Sequence, residues 1–99
     1  MNIIEINDKK EKYIKKLNDL ECYYLQDFVE FYKSKTGYFI DIYGDLKLPN
    51  SSIETMLNIA NIFLKSYQLT KDKQKFYNEF FGIIRSIYNN GSDIFFVGD

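Results

Sequence analysis

The chain of 99 residues and 11.8 kDa fits one compact domain and leaves no room for a second core. An apolar share of 45% and a charged share of 27% are those of an ordinary globular chain and argue against disorder, collagen-like repeats or a disulfide scaffold. A formal charge of −1, from 13 basic and 14 acidic residues, gives neither a general attraction to phosphate backbones nor an acidic mimic of them.

Cys22 has no second cysteine to pair with, and a free thiol fits a reducing compartment. Met1 to Asn7 places Glu5 among its apolar residues and is followed by lysines, the reverse of an export signal, so the expectation is a cytoplasmic protein. Apolar runs such as Ile94-Phe95-Phe96-Val97 are too short to span a bilayer, so no membrane partner is expected.

Three short segments have strand character: Ile3 to Ile6, Tyr38 to Tyr43 and Ile94 to Val97. Between the first two, Asp8 with Glu11 has the form of a capping box, and Tyr13, Leu17, Leu20, Tyr24, Phe28 and Phe31 recur every three or four residues. This predicts a helix from about residue 9 to 35 with Gly37 as its left-handed stop. At 1.5 Å per residue it would be about 40 Å long, wider than the domain, so it projects or breaks. Asn18 with Glu21 is a second capping box and marks residue 18 as the place for a break.

Ser51 and Glu54 open a second helix whose stripe is Ile53, Met56, Leu57, Ala60, Phe63, Leu64 and Tyr67. Thr70 caps a third, in which Phe76, Phe80, Ile83, Ile84 and Ile87 share a face before Asn89-Asn90-Gly91 ends it. Gly82 inside that helix points to close packing of another backbone. Ile94 to Val97 is apolar on both faces, the pattern of a strand covered on two sides.

The order strand, helix, strand, helix, helix, strand favours right-handed crossovers. The predicted fold is therefore α/β: a small three-stranded sheet, parallel, packed against three helices, with α+β as the other mixed arrangement. An all-α bundle with a minor β-hairpin is the alternative. The order, closing on an amphipathic helix and Gly91-Ser92-Asp93-Ile94-Phe95-Phe96-Val97, is similar in outline to the barstar ribonuclease inhibitors. That resemblance implies an intracellular inhibitor and assigns no inhibitory residue.

If the sheet were parallel, Asp8, Asp45 and Asp99 would converge beyond the strand ends, where carboxylates suit magnesium or manganese. Turn and cap chemistry explains all three more simply, and no metal or cofactor is called for. Lys9, Lys10, Lys12, Lys15 and Lys16 would form a basic helix face able to follow phosphates, diluted by Glu11 and Asp19. No histidine exists to activate Cys22, and a Glu54–Asp45 pair is indistinguishable from a cap and a turn, so no enzyme is expected.

Nine tyrosines and nine phenylalanines remain to be explained. Neighbours such as Tyr23-Tyr24 and Phe80-Phe81 lie about 100° apart on a helix, so both members cannot enter one seam and some must reach the surface. Tyrosine offers a rigid apolar face with a polar tip, the usual anchor of a binding surface. The expectation is a small inhibitor that blocks a larger protein by covering its site, in the manner of toxin or bacteriocin immunity proteins and phage anti-defence proteins, anti-CRISPR proteins among them. Its partner-binding residues would be Tyr23, Asp27, Glu30 and Tyr32, extended by Asp41 and Asp45, with carboxylates steering a basic partner. If Tyr23 proved to be core, Tyr43, Asp45 and Tyr77 would take its place. The alternatives are a nucleic-acid-binding regulator using Lys9 to Lys16 and a homo-oligomeric accessory subunit.

Overall fold

A computed structural model describes residues 1–98. The elements are β1 (Asn2–Asn7), β2 (Lys10–Lys16), α1 (Asp19–Thr36), β3 (Leu46–Leu48), α2 (Asn50–Ser66), α3 (Lys71–Asn89) and β4 (Asp93–Val97). β1 pairs with both β2 and β4, and β4 with β3, giving a four-stranded antiparallel sheet in the order β2-β1-β4-β3. The mixed α/β class is as expected. The three-stranded parallel sheet is not: the order strand, helix, strand, helix, helix, strand persists, but β2 is added after β1 and every pairing is antiparallel.

The difference begins at Asp8. Asp8 and Lys9 have φ of 49° and 65°, the two left-handed residues of a tight hairpin turn, so the chain doubles back instead of entering a helix. Asp8 is therefore a turn residue and not a helix cap. Tyr13 and Leu17, four apart, fit a helix as well as a strand followed by a bend, and two positions were too few to decide. Asn18 is where the helix starts: its Oδ1 accepts from the Glu21 N–H at 2.8 Å, and the Glu21 carboxylate accepts from the Asn18 N–H at 3.1 Å. Gly37, at φ 74°, ends α1 as expected.

The helices cover one face of the sheet. Ile3, Ile94, Phe96 and Leu48 point into that layer, and the rings of Phe96 and Phe80 lie 6.4 Å apart. Ile4, Ile6, Phe95 and Val97 occupy the other face and are half-buried, so β4 is covered by helices on one side, not two. Ile53, Met56, Leu57, Ala60 and Phe63 of α2 are buried as their spacing predicts. Phe63 has the rings of Phe28, Phe31, Tyr67 and Tyr77 within 5.4 Å, so the aromatic surplus largely serves the core.

Several local expectations change. Pro49, not Ser51, is the N-cap of α2 and has no side-chain cap bond. Asn50 instead donates its amide to the carbonyls of Tyr88 and Ser92, tying α2 to the α3–β4 turn. Thr70 caps α3 as predicted, accepting from the Lys73 N–H. A Cβ at Gly82 would meet open space, so close backbone packing does not explain that glycine. Tyr38 to Tyr43 is a loop, and β3 begins only at Leu46. Because β1 and β3 run the same way, Asp8 after β1 and Asp45 before β3 lie at opposite ends of the sheet; Asp99 lies outside the described residues. No helix among the described residues is long and apolar enough to cross a membrane.

Candidate binding surface

Gly37 turns the chain out of α1, and Thr36 steadies the exit: its hydroxyl donates to the Tyr32 carbonyl at 2.8 Å and accepts from the Tyr38 N–H at 3.0 Å. From there exposure alternates around two anchors. Ile40 and Ile42 are buried, whereas Tyr38, Phe39 and Tyr43 are 49%, 57% and 71% exposed. Ile40 reaches the main core beside Met1, Phe28, Met56 and Phe96. The loop is therefore anchored in the main core by Ile40 and Ile42, and its rings are left outside.

Its carboxylates also hold it. Asp41 accepts from the Tyr43 N–H at 2.9 Å and, through its carbonyl, from the Gly44 N–H at 3.2 Å, closing an Asx-type turn. Asp45 accepts from the Gly98 N–H at 3.1 Å, pinning the end of the loop to the end of β4. Only glycine fits there, since a Cβ at Gly98 would overlap the Tyr43 carbonyl. Each acid keeps oxygen lone pairs for a second donor. Beside the loop, Glu30, Lys33, Ser34 and Phe39 line a cleft of about 330 Å³, with the Lys33 ammonium 5.7 Å from the centre of the Phe39 ring.

The predicted site residues fall into three groups. Glu30, Asp41 and Asp45 are exposed around this loop. Tyr23, 64% exposed, and Asp27 belong to a separate unit farther along α1, where Lys73 pairs with Asp27 at 2.9 Å and sits over the Tyr23 and Tyr24 rings at 5.7 and 6.0 Å. The hydrogen bond to Asp27 holds the Lys73 ammonium above its ordinary value. Tyr23 and Asp27 are thus already engaged within the chain.

Tyr32 is a correction. It is 6% exposed and packs against Phe28, because it shares the inward face of α1 with Leu25 and Val29. Tyr77 is likewise core, fully buried, whereas Tyr43 is the most exposed large apolar side chain. Sequence spacing missed Tyr38 and Phe39 because the segment has the alternation of a strand. The signal available was Gly37 and Gly44 bracketing it, a loop's punctuation.

The lysines form no helical strip. Lys9 is in the hairpin turn, Lys10, Lys12 and Lys15 share the face of β2 whose partners are Asn7, Glu5 and Ile3 while Lys16 lies on the other, and Lys15 is tied to Glu21 at 2.8 Å. Partial burial alone would raise the Glu21 carboxyl, but the Lys15 hydrogen bond, the Asn18 N–H and the Lys15 charge outweigh it and hold it below its ordinary range. Among the described residues no three acids or cysteines come close enough to hold a metal ion. Glu54 lies against Tyr88, whose phenol is pushed up by desolvation and by that carboxylate, while Asp45 is bound to Gly98. Comparison with protein families, with characterised proteins and with solved structures finds no match.

Proposed function

We propose that the protein is a cytosolic binding protein, not an enzyme, that inhibits a larger protein by covering a basic site on it, as toxin immunity and phage anti-defence proteins do. The observation that supports this is the loop Tyr38 to Asp45: three exposed rings held by buried Ile40 and Ile42 and rimmed by Asp41, Asp45 and Glu30. A backbone held before binding loses little entropy when its rings fill a partner's pockets, and carboxylates nearby attract lysine and arginine while repelling acidic surfaces. Lys33 over Phe39 already shows a ring of this surface taking a cation. Nucleic acid is the weaker occupant, since Lys15 is paired with Glu21, and Glu5 and Glu11 lie among the other lysines of β2.

The test immobilises the protein beside a Tyr43→Ala, Asp45→Asn variant in extract of its own cells and of cells carrying its mobile elements. The expected result is one protein bound one-to-one by the parent, lost from the variant, and inactivated by added parent. A protein held equally by both, or one whose activity is unchanged, contradicts the proposal.

A further inference from the structure

An antiparallel sheet with one face in water normally places polar residues on that face. This sheet carries an apolar stripe there, bordered by Asn2, Glu11, Lys16, Lys47 and Asp93. Strand register sets Tyr13, Ile4, Phe95 and Lys47 side by side across the face that the helices leave open, one from each strand in the order β2-β1-β4-β3. Ile6 and Val97 extend the patch on either side of the row, and Ile4, Ile6, Phe95 and Val97 are only half-buried. A contiguous apolar patch of this kind marks an interface.

The row is complementary to its own reverse. A second copy laid face to face, related by a two-fold axis parallel to the strands, sets Tyr13 against Lys47 and Ile4 against Phe95, each pair occurring twice. The Tyr13 ring, 61% exposed, would meet an exposed ammonium, and a branched aliphatic chain would pack on a phenyl face. Pairing through the edge is disfavoured: two β2 strands would bring Lys10, Lys12, Lys15 and Lys16 against one another, and β3 is three residues long. Four strands about 4.8 Å apart, taken over five residues, give a face of roughly 300 Å², which is small and implies weak association.

We propose that the open sheet face binds a second copy of this chain, forming a two-fold dimer in which Tyr13 of each copy lies on Lys47 of the other. The dimer does not depend on the proposed inhibition. It is compatible with it: an axis parallel to the strands leaves both Asp45 ends on the same side and both aromatic loops uncovered, so each chain of the dimer can still hold one partner.

Sedimentation across concentrations up to about 1 mM tests association, with mass expected to rise from one chain towards two. Phe95→Asp should weaken it by about tenfold or more, and the exposed Lys47→Glu serves as a second variant that leaves the core untouched. Register is tested with a bifunctional thiol cross-linker of about 8 Å reach in a Cys22→Ala background, because facing sheets lie about 10 Å apart, beyond a direct disulfide. Mixed Tyr13→Cys and Lys47→Cys chains should cross-link, whereas Tyr13→Cys alone should not, because its two copies lie on opposite flanks about 14 Å apart. A mass of one chain throughout overturns the proposal. So does cross-linking of Tyr13→Cys alone, which would mean edge pairing. Saturable, salt-sensitive binding of oligothymidylate to a monomer through Tyr13 and Phe95 would also overturn it, making the face a nucleic-acid platform.

Discussion

Tyr77 shows how much one hydroxyl can decide. Its ring is fully buried against Phe63, Phe76 and Phe81, and its oxygen donates to the Tyr24 carbonyl while accepting from the Phe28 N–H at 3.2 Å. Those two backbone groups are the pair that a helix joins directly, so α3 reaches into the ladder of α1 and fixes its position. Burial, ahead of any neighbouring charge, pushes the phenol far above its ordinary value, and burial followed by Tyr38 does the same to Tyr32 more mildly. Both groups therefore keep their protons in the folded chain at pH values where the unfolded chain loses them. The stability they contribute is intact below about pH 10 and is lost as pH rises above it, by up to about 1.4 kcal/mol per unit for each group. Tyr77→Phe should cost about 1–2 kcal/mol at neutral pH, because α1 can close its own ladder in part, and should flatten the alkaline decline. Urea unfolding at neutral pH and at about pH 11 checks both effects; a parent and variant with the same alkaline slope would contradict this account of Tyr77. Helical spacing from Phe80, Phe81 and Ile84 puts Tyr77 on an apolar face, whereas Tyr43 stands before Gly44. The spacing does not reveal that the Tyr77 hydroxyl enters the ladder of α1; only the assembled helices do.

Among the elements, helices were legible where the apolar stripe was long and strands where they were apolar. Five residues of α2, from Ile53 to Phe63, fall where a 3.6 period puts them. β2 was not legible, because Lys10-Glu11-Lys12-Tyr13-Ile14-Lys15-Lys16 has little apolar pattern of either period and takes its strand form from pairing with β1. The turn that decides this is also its weakest joint, since Lys9 is held at φ 65°, where a side chain is strained. Glycine is the preferred residue after Asp in such a turn. Lys9→Gly should therefore raise stability by up to about 1 kcal/mol, read as a higher urea midpoint with an unchanged slope. A lower midpoint would mean that the hairpin does not use this turn. The capping box at Asn18 was readable from Asn18 and Glu21 alone, yet the competing Asp8–Glu11 pair was equally well formed on paper. Local chemistry named both candidates, and pairing of β2 with β1 through the Asp8–Lys9 turn chose between them.

At the scale of the molecule, the strand of greatest sequence distance organises the fold. β4 lies between β1 and β3, so the sheet closes only when the two ends of the chain meet, and no local pattern carries that information. The same closure creates the candidate binding surface, because Gly98 must reach Asp45 and Tyr43 to hold the loop in place. Its acids were found from sequence through the steering argument, whereas its rings at Tyr38 and Phe39 were assigned to a strand. This loop, and not the Tyr23 face of α1 or the lysines of β2, is the surface proposed to meet the inhibited protein. Amide hydrogen exchange of the free and complexed protein tests it most directly. The account predicts slowed exchange from Tyr38 to Asp45 and around Glu30 in the complex, with β2 and the Lys73 side of α1 unchanged. Protection confined to β2 or to the Tyr23–Lys73 surface, with the loop exchanging as in the free protein, would contradict it.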